Sequence, residues 1–315
     1  MQEGSKKAII AALLANAGIA IAKFVGFLIT RSAGLLAESG HSLADSGNQA
    51  LLLFGSKRAR RPADRAHPFG YGPERYFWSF VVALVLFSMG GLFALYEGIS
   101  KVRNPHVIEK PAVGFAILIF AIALETYSFR TAIKEANHVR PKEKGWWWFI
   151  RNAKSPELPV VLLEDLGAEV GLILALAGLT MAELTGSPEW DAVGSISIGV
   201  LLVIIAAILA IEMKGLLIGE APTDEVQAKV EAALASSPDV QGVIHLRTMH
   251  SGPDRLIVAA KVEFAQHLTM SQLAERINSA EAATRAAIPV ELTIYIEPDI
   301  RRDAPEVTAA DGAHA

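Results

Sequence analysis

AGLLAESGHSLADSGNQALLLF, residues Ala33–Phe54, has the length of a membrane helix yet carries His41 and Asp45 in its middle. A charged side chain at the bilayer centre costs at least ~2.5–3.5 kcal/mol, so such residues default to a functional role. Four positions apart, they share one helix face. LPVVLLEDLGAEVG, residues 158–171, opens a second apolar run that reaches Leu184 and sets Asp165 and Glu169 four apart in the same way. Two pairs on two helices make a four-ligand cage if they meet.

Working outward, the 315 residues are 52% hydrophobic and 20% charged, with mean hydropathy +0.35. A soluble chain would hold ~45–50% apolar and ~25% charged residues, and here the apolar residues come in blocks. A net charge of −4 argues against a nucleic-acid partner, which needs a basic face. There is no cysteine, so a metal site must use His, Asp, Glu or water, and the redox compartment cannot be read. No Walker motif and no nucleophile elbow is present, so an enzyme is not expected. MQEGSKK leads into an apolar run longer than a signal-peptide core and is read as the start of a retained membrane helix.

A membrane helix needs ~20 largely apolar residues. Six segments qualify: Ala8–Thr30, Ala33–Phe54, Phe77–Ile99, Ala112–Ala132, Leu158–Leu184 and Ala192–Met213. Lys and Arg concentrate before the first span, between the second and third (Lys57 to Arg75), and between the fourth and fifth (Arg130 to Lys154). By the positive-inside rule both termini face the cytoplasm. Trp146, Trp147 and Trp148 read as an interfacial anchor. The expected fold is a six-helix membrane bundle over residues 1–216, a cytoplasmic α+β domain over 217–300 and a disordered tail over 301–315.

In the soluble part, Thr223 is expected to cap a helix reaching Ala235. Gly242–Met249 and Leu256–Phe264 read as strands, the latter with Val258, Ala260, Val262 and Phe264 inward. Thr269-Met-Ser-Gln272 is a capping box opening a helix to Ala287. Val290–Glu297 is a third strand, giving the order α-β-β-α-β.

Depth then decides whether the pairs meet. At 1.5 Å per residue, His41 lies ~12 Å and Asp45 ~18 Å below the outer edge of the second span. Asp165 and Glu169 fall ~20 and ~14 Å below that edge of a ~30 Å core. Asp45 is level with Asp165, and His41 with Glu169. One imidazole and three carboxylates suit Zn2+, or more weakly Fe2+, Co2+, Mn2+ or Cd2+. Because ligands bind metal deprotonated, affinity is coupled to protons. Glu164 contests this register: facing inward, its i+4 neighbour is Ala168 and the site has three ligands. A buried polar cluster that only joins helices is the bland alternative.

The strings SAGLLAESGHSLADSGNQ, HPFGYGPERY, YEGISKVRNP, GEAP, HLRTMHSG and IYIEP, in this order, resemble the cation diffusion facilitators. The resemblance covers Lys7 to Pro298. It implies a homodimeric metal/proton antiporter with six membrane helices and a cytosolic ferredoxin-like domain, moving Zn2+ or a related ion out of the cytoplasm. It implies a transport site at His41, Asp45, Asp165 and Glu169, with Glu164-Asp165 marking a distinct branch. It also implies a weak second metal site at Asp64 and His67, whose third ligand, usually His, is Tyr71 here. At the positions where zinc-sensing members of the family carry His in the soluble domain, this chain has Ala260 or Lys261, Ala274 and Tyr295. His245, His250 and His267 remain, but the sequence shows no evident set of three or four metal ligands around them, so dimerisation without metal control is expected. Two other classes remain: a metal-binding membrane scaffold that does not transport, and a six-span transporter of organic solutes, which would predict broken helices at its site.

Overall fold

The structure is a computed structural model that describes residues 3–105, 108 and 110–301, with side chains from Asn16 onward. The tail expected over 301–315 lies outside the described residues but for Arg301. The chain divides into two compact units, Met1–Gly219 and Glu220–Ala315.

Helices occupy all six expected apolar stretches of the first unit. They are α1 Glu3–Thr30, α2 Ala33–Ala59, α3 Glu74–Val85 continuing through a π-helical segment Leu86–Leu92 into α4 Phe93–Arg103, α5 Pro111–Val139, α7 Glu157–Thr185 and α8 Glu189–Ile218. The tryptophan stretch forms a short helix, α6 Trp146–Asn152. Arg140 and Lys144 stack over its Trp146 and Trp148 rings. By length and composition, three helices can cross a membrane: Glu74–Arg103, Pro111–Val139 and Glu189–Ile218. Asn16–Thr30 is apolar but shorter. Among the described residues α2 and α7 fall outside this set; polar residues crowd the middle of α2 from Glu38 to Gln49.

The core is built from fully buried Leu35, Leu86, Leu118, Leu172, Leu179, Ile198, Leu202 and Leu209. α2 packs against α1, α3, α7 and α8, and α7 against α5 and α8. α4 and α8 approach through glycine: a Cβ on Gly98 would lie 2.9 Å from the Ile196 backbone nitrogen, and one on Gly199 2.8 Å from that of Leu95. Such backbone contact is open only to a residue without a side chain.

A buried ionic knot ties one end of the bundle. Ser32 caps α2 by accepting from the Leu35 amide. Its hydroxyl also donates to Asp191 at the start of α8, at 2.5 Å, and the Ala33 amide donates to the other oxygen of Asp191 at 2.6 Å. Lys101 from α4 pairs with Asp191 at 3.3 Å and donates to the Arg31 carbonyl at 2.7 Å. Asp191 is an acid in the first turn of its own helix, the end a negative charge favours.

The second unit runs α9 Asp224–Ala235, β1 Val240–His250, β2 Arg255–Phe264, α10 Met270–Ala287 and β3 Glu291–Asp299. The sheet order is β1-β2-β3, antiparallel then parallel, with Val258 opposite Thr248 and Ile294. Its core joins Val230 and Leu234 of α9 to Leu256, Val258, Ala260, Val262 and Phe264 of β2, with Ala280, Leu292 and Ile294. The capping box at Thr269 and Gln272 is present in both directions. Thr223 differs from expectation: it sits at the α9 N-cap with extended backbone but makes no side-chain cap hydrogen bond. Asp224 and Glu225 in the first turn supply the favourable charge there instead.

Candidate metal site

Four polar residues of α2 fall at i, i+3, i+7 and i+10: Glu38, His41, Asp45 and Asn48. This spacing is a single helical stripe, turned into the bundle: Glu38, His41 and Asn48 have no exposure. His41 Nδ1 lies 3.6 Å from Asp45 Oδ1, beyond hydrogen-bond range, and neither ring nitrogen has a hydrogen-bond partner. The π-helical segment packs over the imidazole, since a Cβ on Gly90 would sit 3.8 Å from His41 Nδ1. One turn up the stripe, Lys23 of α1 donates to Glu38 Oε2 at 3.1 Å and to Ser42 Oγ at 2.7 Å. Asp45 lies within electrostatic reach of Glu164, Glu125, Lys23 and Asp165.

The carboxylates of α7 divide between two neighbours. Glu164 faces α2, accepting from Asn48 Nδ2 at 2.6 Å. Asp165 and Glu169 share the next face, as their spacing requires, and that face meets α5: Asp165 accepts from Ser128 Oγ at 3.1 Å and Glu169 from Thr126 Oγ1 at 2.8 Å. Largely buried Glu125 of α5 is in electrostatic reach of Glu169 and Asp165. His41 and Asp45 are thus together, and Asp165 and Glu169 are together, while Glu164 makes the α7 hydrogen bond to the α2 stripe. Among the described residues no three His, Asp or Glu side chains converge closely enough to hold a metal ion.

Asp64 and His67 lie in the exposed loop between α2 and α3. Asp64 Oδ1 accepts from the Ala66 and His67 amides at 2.9 and 2.8 Å, and its Oδ2 from the Tyr71 hydroxyl at 2.7 Å. The Tyr71 hydrogen bond, then the His67 amide, hold the Asp64 carboxyl below its ordinary pKa, and the same bond raises the Tyr71 phenol. The His67 and Tyr71 rings are 4.3 Å apart. Asp64 therefore organises its own loop, with Tyr71 as its donor. In the second unit His245 and His267 are exposed, and His250 Nδ1 sits 3.3 Å from the Gly252 carbonyl. Lys261 binds both Glu297 and Asp299 at 3.1 Å, and these carboxylates, Glu297 first, raise its pKa.

Sequence reasoning passed over Glu38, Asn48, Lys23 and Glu125. The first two were legible as the 3-4-3 spacing around His41 and Asp45. The other two are lone ionisable residues in apolar runs, open to the same lipid-cost argument.

Residues 9–218 match the cation efflux transmembrane domain, and residues 222–299 match the cation efflux protein cytoplasmic domain. The chain belongs to the cation diffusion facilitator family. This cation diffusion facilitator is an integral membrane protein of a transporter family. It is 31% identical over 264 residues to the proton-coupled zinc antiporter SLC30A9, mitochondrial, of Xenopus laevis, an overlap of 83% of this chain and 47% of that protein. It is 28% identical over 283 residues to metal tolerance protein C4 of Arabidopsis thaliana, covering 89% of this chain and 61% of that one. It is 26% identical over 274 residues to the metal cation efflux system protein CzcD of Cupriavidus metallidurans, covering 86% and 81%. The chain spans about half the length of its frog relative.

Proposed function

We propose that this protein exchanges a divalent metal ion, Zn2+ first among them, for protons across a membrane, at a site built on His41 and Asp45. The observation that carries this reading is His41: fully buried, with both ring nitrogens unpaired. Buried polar groups are almost always hydrogen-bonded, and an unpaired imidazole beside a carboxylate in an apolar bundle is chemistry suited to a borderline cation. The proton-coupled zinc antiporter among its relatives supports the choice of ion and of exchange. Fe2+, Co2+, Mn2+ and Cd2+ are cargoes of the same ligand class.

On α7, the contacts of Glu164 support it as the carboxylate joining the α2 pair, with Asp165 and Glu169 lining the face toward α5 with Glu125. Metal entering displaces protons from this set, since ligands bind deprotonated, and protons returning from the other side expel it. We further propose six membrane crossings with both termini cytoplasmic, α2 and α7 tolerated in lipid because their polar stripes face inward. The second unit serves as a dimerisation domain without metal control. Lys261, clasped by Glu297 and Asp299, supports this by placing a fixed cation between carboxylates. Asp64 and His67 form a weak approach site for metal in the connecting loop.

The test is uptake into proteoliposomes under an imposed pH gradient, with Zn2+, Fe2+, Co2+, Mn2+ and Cd2+ in turn. Asp45→Ala should abolish flux of the true cargo; undiminished flux overturns the site. Glu164→Ala and Asp165→Ala, compared in the same assay, decide which α7 carboxylate binds the ion.

A further inference from the structure

Building on the transport site read above, we propose that Asn48 is a specificity-determining residue of that site. Its Nδ2 holds Glu164 against α2, and its Oδ1 is a neutral oxygen ligand for the cargo ion.

Asn48 lies three residues beyond Asp45 on the stripe, just under one turn, ~4.5 Å along the axis. It has no solvent exposure. A carboxamide carries two donors and an oxygen with two lone pairs. One donor is used on Glu164 Oε1 at 2.6 Å, while Oδ1 is shielded from water and has no hydrogen-bond partner. The reverse amide orientation would set two acceptors against each other while Glu164 is ionised, so Glu164 fixes which way the oxygen points. Asp45 Oδ1, also buried and without a hydrogen-bond partner, is its neighbour on the same stripe.

The stripe therefore has a chemical gradient. From His41 onward it offers a nitrogen first, then the anionic oxygen of Asp45, then a pair of oxygens at Asn48 with Glu164. Imidazole suits Zn2+, whereas carbonyl and carboxylate oxygens suit harder ions such as Mn2+. Asn48 extends the site toward the harder ions, and its loss should cost Mn2+ more than Zn2+.

The experiment uses the full chain, with Zn2+ and Mn2+ affinities measured by calorimetry in detergent and uptake measured in proteoliposomes. Asn48→Leu removes donor and oxygen together and should weaken metal binding by ~10–100-fold, the range for losing a group that orients a ligand. The exchange variant Asn48→Asp with Glu164→Gln keeps one amide, one carboxylate, the hydrogen bond and the net charge, so it folds where Asn48→Leu fails. It should bind both ions more tightly than Asn48→Leu, because an oxygen remains at position 48. Affinity unchanged in Asn48→Leu overturns the proposal. So does binding in the exchange variant as weak as in Asn48→Leu, since an oxygen at position 48 would then contribute nothing. Wild-type protein that neither binds nor moves either ion fails the transport reading itself, a result distinct from both.

Discussion

Glu38 is held between a cation and a glycine. Lys23 takes one of its oxygens, and the other, unpaired, rests where a Cβ on Gly171 would stand. Gly171→Ala should push this carboxylate off Lys23 and cost about 1–3 kcal/mol, as overpacking does, read as a lower thermal midpoint of the purified protein. Tyr71→Phe removes the main support of the ionised Asp64, so its pKa should rise toward the ordinary carboxylate value, seen by carboxyl carbon NMR titration. The sign follows from linkage: a depressed carboxyl pKa stabilises the loop above the unfolded value and is lost as pH falls through the folded one. In the variant that loss should be smaller and complete at a higher pH. Which residues were legible in advance follows from contrast with their surroundings. His41, Asp45, Asp165 and Glu169 stand out because lipid penalises them. Thr126 and Ser128 carry no such signal, because a hydroxyl on an apolar helix can be satisfied by its own preceding carbonyl. Only the packing of α5 on α7 reveals them as partners of the α7 carboxylates.

The elements were read best where a local rule acts alone. Thr269 and Gln272 form their reciprocal cap from four adjacent residues, and the sequence was enough. Thr223 had the right residue type and charge pattern, but whether its hydroxyl turns onto the helix depends on surroundings outside that string. Thr269→Ala should cost about 1 kcal/mol and speed amide exchange in the first turn of α10, with α9 unaffected. The π-helical segment gave no sequence warning beyond Gly90 and Gly91, since its geometry depends on α8: Gly91 lies against Val203, and Gly90 against Leu202. The α4–α8 contact depends on Gly98 in the same way. Gly98→Val should force the two backbones apart and lower the thermal midpoint well beyond the Gly171→Ala change.

For the whole molecule, the six helices and the αββαβ order could be anticipated because span length and strand alternation are coarse, repeated signals. The facing of α7 could not. A depth argument fixes how far along a helix a residue lies but not its rotation, and one residue separates Glu164 from Asp165 by about 100°. The knot at Asp191 was equally hidden, because it joins residues far apart in the chain. Asp191→Ala would strand buried Lys101 and should cost roughly 3–5 kcal/mol, measured as a fall in the thermal midpoint. That knot also fastens α2 at its very first residues, while His41 hangs about eight residues further on, ~12 Å down the axis. A rod pinned at one end moves as a lever. A tilt of ~10° about that pivot swings the imidazole by ~2 Å and Asn48 by nearly twice as much. The His41 imidazole would then stay closer to its place while the Asn48 carboxamide travels, making the far end of the stripe its moving jaw.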